Sequence, residues 1–130
     1  MKYTIINIPK ITDIRGSLGV IEKNTIPYDI KRVYYLFDVP SSAYRGGHAH
    51  INQVEVLIAL SGSFDVKVDD GTEVSLITLN KPDKGLMLNK GVWRELENFS
   101  SGAICLVLAS DVFDESDYIR DFEVFKKQFS

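Results

Sequence analysis

Residues 64–71 read Phe64, Asp65, Val66, Lys67, Val68, Asp69, Asp70 and Gly71, a strict apolar–polar alternation running into a turn. Period-two alternation buries one face of an extended chain and wets the other, and a helix cannot satisfy it. Asp69-Asp70-Gly71 is hairpin chemistry, because glycine takes positive φ without strain. The strand therefore returns over residues 73–79. The same cadence fills most of the chain. Runs at 3–8, 18–22, 30–37, 54–60, 86–88, 92–96 and 104–108 read as strands, in a chain punctuated by Gly, Pro and Asp. Short strands punctuated at such spacing predict an all-β antiparallel sandwich or barrel. In the 30–37 run Arg32, Tyr34 and Leu36 share one parity and Val33, Tyr35 and Phe37 the other. Both sets are large, so the strand is expected to be covered on both sides.

Only the C-terminal end reads as helix. Asp114, Glu115, Ser116 and Asp117 offer caps and negative charge, and Lys126 and Lys127 place positive charge at the far end. Between them Tyr118, Phe122 and Phe125 recur at helical spacing as one apolar stripe. With 130 residues and no linker or repeat, residues 1–130 are expected to form one domain.

The composition narrows the partners. A net charge of -3 gives no electrostatic ground for binding nucleic acid or an anionic membrane surface. The one cysteine, Cys105, lies within an apolar run, so no internal disulfide forms and the thiol is expected to be buried and inert. Residues 1–4 show no apolar leader and no stretch reaches spanning length, so a cytoplasmic location is expected.

Chemistry concentrates at Tyr44, Arg45, Gly46, Gly47, His48, Ala49 and His50, which hold both histidines of the chain. On a strand the two imidazoles face the same way, with Arg45 beside them, as an acid/base or metal site requires. His48, His50, Glu55 and Gly62 match the spacing of the first cupin motif, although Ser42 stands where such cupins carry an upstream glycine. In the second motif Arg94 stands where a histidine ligand belongs, and a guanidinium cannot ligate a metal. His48, His50 and Glu55 still leave a two-histidine, one-carboxylate iron site open. Glu55 lies five residues beyond His50, so it faces inward only if residues 51–53 turn or bulge.

A closer resemblance spans roughly residues 5–126. Its carriers are Asp13 with Arg15-Gly16-Ser17-Leu18, Lys31-Arg32-Val33-Tyr34-Tyr35, Arg45-Gly46 with His48-Ala49-His50, Leu60 with Gly62-Ser63, Asp69-Asp70-Gly71, Ala109-Ser110-Asp111 and Asp117-Tyr118-Ile119-Arg120. On these the chain resembles the TDP-4-keto-6-deoxy-D-glucose 3,4-ketoisomerases, metal-free cupins that feed 3-amino-3,6-dideoxy sugar synthesis. The resemblance implies a cupin jelly-roll barrel, a homodimer, a dTDP-linked 4-keto-6-deoxy sugar as substrate, no cofactor, and catalysis by His48 and His50. Members often carry Glu-Gln where this chain has Val54-Glu55, and histidine can occupy the position of Arg94.

The residues themselves suit that chemistry. A C3 hydrogen beside a C4 ketone is acidic enough for a neutral imidazole to remove, and return of the proton at C4 moves the ketone without metal or redox equivalent. Tyr34 is the candidate partner at the sugar oxygens and Arg45 the donor beside the developing enediolate. Arg15, Arg32 and Arg94 are the candidates for the pyrophosphate. Trp93 reads as core, and the C4 configuration of the product is left open, with the galacto form favoured. The alternatives are a sugar-nucleotide epimerase of the same barrel type, a non-catalytic sugar-binding cupin and a metal-dependent cupin.

Overall fold

The structure, a computed structural model, describes residues 2–129. Its strands are β1 (Tyr3–Asn7), β2 (Lys10–Asp13), β3 (Gly16–Gly19), β4 (Arg32–Leu36), β5 (Arg45–His50), β6 (Glu55–Ser61), β7 (Phe64–Asp69), β8 (Val74–Leu79), β9 (Lys84–Leu88), β10 (Trp93–Glu97), β11 (Ile104–Ala109) and β12 (Tyr118–Ile119). One helix, α1 (Phe122–Phe129), closes the chain. Two five-stranded sheets, ordered β1-β9-β6-β11-β4 and β12-β5-β10-β7-β8, face each other, and β2-β3 stands apart as a hairpin. All pairings are antiparallel. The chain is a cupin-type jelly roll, as the sequence predicts.

The alternating β7 run falls as its pattern dictates. Phe64, Val66 and Val68 are fully buried and meet Leu57, Leu86, Cys105 and Val107 of the opposite sheet. Burying side chains of this size stabilises the fold by roughly 1.5–3 kcal/mol each. Burial also pushes the Cys105 thiol pKa up, as expected of an inert thiol. At one end this core gives way to polar residues, and the site lies there.

Two expectations need correction. Asp114 does cap, but it caps a 3-10 turn at Glu115–Asp117 rather than the helix. The chain then extends as β12, which pairs with β5 through Tyr118 to His50 and Ile119 to Ala49, and α1 begins only at Phe122. Covering the open edge of β5 with ladder bonds outweighs one more helical turn. Tyr118 is thereby removed from the helical stripe, while Phe125, with Trp93, Ala49 and Ile119, forms a small core beneath α1.

The second correction concerns β4. Arg32, Tyr34 and Leu36 face the interior, but Val33, Tyr35 and Phe37 are 54%, 59% and 58% exposed. β4 is the edge strand of its sheet, and the segment that covers the neighbouring outer face, through Ile26 and Tyr28, does not extend over it. The β2-β3 hairpin is exposed along its whole length.

Candidate active site

Strand register assembles the site from both sheets. Ala109 of β11 pairs with Arg32 on one side and Glu55 on the other, and the neighbouring row aligns Tyr34, Val107 and Leu57. From the opposing sheet Arg94 pairs with His48, so their side chains lie on one face. β5 can approach β10 so closely because Gly46 sits at φ 80, where an added Cβ would stand 2.6 Å from Leu96. The resulting cavity, about 220 Å³, is lined by Arg32, Tyr34, Arg45, His48, Glu55, Arg94, Tyr118 and Arg120 together with apolar neighbours. It falls below the ~300–1,000 Å³ that a drug-sized ligand fills. Four guanidiniums against one carboxylate make it cationic within an acidic chain.

Beneath the cavity lies a buried polar network. Glu55, only 1% exposed, accepts from Arg94 Nη1 at 2.5 Å, from Tyr34 Oη at 2.8 Å and from Gln53 Nε2 at 2.8 Å. The parity condition is met: residues 51–54 turn between β5 and β6, and Glu55 points inward. His48, His50 and Glu55 do bring ligand-type atoms within 4.8 Å of one another. They fit a resident metal poorly, because Arg94 is already bonded to the carboxylate and its fixed positive charge opposes a second cation at that group.

The two histidines differ. His50 is fully buried, with Nδ1 3.1 Å from Asp117 Oδ2 and Nε2 3.5 Å from Gln53 Nε2. His48 lines the cavity, the backbone of Gly46 hydrogen-bonds its ring, and its Nε2 is buried without a partner. The rings meet edge to face at 4.9 Å, and Tyr118 packs on both. Burial, followed by the charge of Arg94, holds the His48 imidazole down at about 2 and lowers that of His50. Both are neutral bases in the folded chain. Burial, reinforced by Glu55, raises the Tyr34 hydroxyl, so it stays protonated as a donor.

These shifts set an acid limit on stability. Below pH ~6.5 the unfolded chain protonates both imidazoles while the folded chain does not. The associated stability is present above pH ~6.5 and is lost progressively as pH falls towards the depressed folded values. Calorimetry should show Tm dropping between pH 7 and pH 5, with a shallower slope in His48→Asn. Equal slopes would count against buried neutral imidazoles.

The structure brings His48, Tyr34, Arg45, Arg32 and Arg94 to one cavity, with His50 directly behind. Arg15 is elsewhere. It sits on the β2-β3 hairpin, 86% exposed and paired to Asp13, outside the cavity of its own chain. Trp93 is buried under α1. Sequence reasoning missed Gln53, Asp117 and Arg120 as members of the site and placed Tyr118 on a helix. The spacing of Asp117 from the histidines carries no local signal, since the contact spans 67 residues.

The family model described as FdtA, WxcM-like, C-terminal, matches residues 1–130. The chain is 49% identical, over 98% of its length and 92% of the relative's, to a TDP-4-oxo-6-deoxy-alpha-D-glucose-3,4-oxoisomerase of Aneurinibacillus thermoaerophilus. A 3,4-ketoisomerase from Helicobacter canadensis superposes with a TM-score of 0.95 at 44% identity, covering 98% of this chain and 97% of that one. A variant of the 3,4-ketoisomerase from Thermoanaerobacterium thermosaccharolyticum, solved with TDP-4-keto-6-deoxyglucose, gives 0.96 at 40% identity, covering 98% and 94%. The epimerase alternative gives way to these matches. A barrel with paired imidazoles at one end, matched over nearly its whole length by such enzymes, belongs to the TDP-sugar 3,4-ketoisomerase family.

Proposed function

We propose that this protein converts TDP-4-keto-6-deoxy-D-glucose to its 3-keto isomer, the step that prepares C3 for amination towards a 3-amino-3,6-dideoxy sugar. The observation that carries the reading is His48, whose Nε2 is buried without a partner in the protein, standing in the lining of a compact cationic cavity. His48 Nε2 takes the C3 proton, and the electrons of the C3–H bond form the C3=C4 enediolate. The same nitrogen returns the proton to C4, while the O3 proton passes to O4, so nothing is oxidised or reduced overall. Tyr34, hydrogen-bonded to Glu55, stands at the cavity wall as a relay for the oxygen-bound proton. Arg94 and Arg45 stabilise the enediolate, a fixed donor being worth about 3–4 kcal/mol in a dry site. Arg32, whose Nη1 is buried without a partner, is the first candidate for the diphosphate. His50 packs on His48 and holds its ring, and no step requires a metal or organic cofactor.

Proton NMR of the keto sugar in D2O tests this. Turnover should produce the 3-keto isomer with deuterium at carbon, and the coupling at C4 reads the product's configuration. Binding without isomerisation would instead favour the sugar-binding alternative, and loss of activity with a chelator would favour the metal-dependent one.

We also read the protein as a cytoplasmic, single-domain homodimer. An isolated two-stranded hairpin is marginal in water, yet β2-β3 exposes Ile11, Ile14 and Leu18, and β4 exposes Val33 and Tyr35 with Phe37 just beyond its end. A second copy covering both surfaces removes that apolar area from water. Tyr35→Glu with Phe37→Glu should halve the mass in light scattering, and an unchanged mass would place the interface elsewhere. The described helix is too short to cross a membrane.

A further inference from the structure

The carboxylate of Asp117 makes three contacts that bear on the histidines. Oδ2 lies 3.1 Å from His50 Nδ1, Oδ1 accepts the Asn52 backbone N–H at 2.7 Å, and Oδ2 accepts that of Gln53 at 3.1 Å. Its own backbone carbonyl accepts from Ile51 N–H at 2.9 Å. One residue, delivered by the 3-10 turn ahead of β12, thus grips the whole 51–53 turn and the second histidine.

A carboxylate has only acceptors to offer, so the His50 proton sits on Nδ1 and its lone pair on Nε2. That lone pair meets the Gln53 amide nitrogen at 3.5 Å, which also donates to Glu55 Oε2, while Glu55 Oε1 lies 3.8 Å from Nε2, beyond hydrogen-bonding reach. With the opposite tautomer, Nδ1 would turn its lone pair on the carboxylate and the ring would lose its anchor. The same carboxylate holds the turn that directs Glu55 inward to Arg94 and Tyr34. We infer that Asp117 is a positioning residue for the isomerase: it fixes His50 as the Nδ1–H tautomer, edge-on to His48, and locks the turn that aims Glu55 at Arg94. This rests on the proposed isomerisation for its kinetic consequence but not for its structural one.

The chain has two histidines, so nitrogen-15 NMR of His48→Asn reports on the His50 ring alone. Protonated Nδ1 and bare Nε2 are expected in that variant at pH 7.5. In the His48→Asn/Asp117→Asn double variant the two should exchange, because an amide that satisfies Asn52 with its oxygen turns its NH2 on Nδ1. In the otherwise native enzyme, Asp117→Asn should lower kcat on the order of ten- to a hundredfold, the scale for losing a group that orients a working side chain. KM should stay within about threefold, since Asp117 does not line the cavity. A His50 proton on Nε2 beside native Asp117 overturns the inference, as does unchanged kcat in folded Asp117→Asn. Should Asp117→Asn fail to fold, the His48→Asn spectrum decides alone. If the native enzyme does not isomerise the keto sugar, the functional reading falls while the spectra still judge the tautomer.

Discussion

His48→Asn should lower kcat by about 10³-fold or more while leaving the fold and TDP binding in place. The expected size follows from the proposed role, because a positioned acid/base contributes ~10²–10⁴-fold and His48 is assigned the proton at both carbons. The fold should survive because His48 Nε2 bonds to nothing in the protein, so the exchange leaves no new orphan there. Asparagine has no group basic enough to take a carbon-bound proton. His50→Asn should cost less, since that ring acts through His48. Near-native turnover in His48→Asn, measured by single-turnover NMR, would remove the proton carrier from the proposal.

Glu55→Ala should cost about 3–5 kcal/mol of stability, the range for breaking a buried ion pair from one side. Both partners are 1% exposed, so Arg94 would keep its charge in a dry site with only the Val92 carbonyl to meet it. The Tyr34 hydroxyl and Gln53 amide would lose their acceptor as well. Removing both charges is a different matter. Glu55→Met with Arg94→Met should recover much of the loss, since apolar replacement of a whole buried pair is often neutral or stabilising. The double variant should remain inactive, because the proposed reaction needs Arg94 beside the developing enediolate. Urea melts of the two single variants and the double variant give the coupling directly. Additive losses would mean that the pair contributes no more than its separate packing.

The sequence was informative wherever a rule is local. Alternation along residues 64–69 gave strand, face and core residues together, because successive side chains of an extended backbone must point to opposite sides. The same parity put His48 with His50, and Arg32 with Tyr34, before any pairing was known. Turn chemistry at Asp69-Asp70-Gly71 placed its hairpin within a residue or two. The cupin spacing then located one end of the barrel as the site.

What local rules could not reach were contacts made by register. Asp117 meets His50 across 67 residues, and Arg94 meets Glu55 across 39. Nothing in the stretch 114–122 says that backbone pairing to β5 will prevail over a helix that its caps and charges also support. Only the closed sheet, with an open edge to satisfy, decides that contest. Arg15 shows the converse: a residue carried by a recognisable motif lies outside the lining of the cavity of its own chain, on an exposed hairpin whose placement no local rule fixes. Sequence alone determined the strands, their faces and the two imidazoles on one of them. Tertiary structure alone decided which imidazole keeps an unpartnered Nε2 and which is held by a carboxylate, because that depends on whether Asp117, from the far end of the chain, reaches the ring.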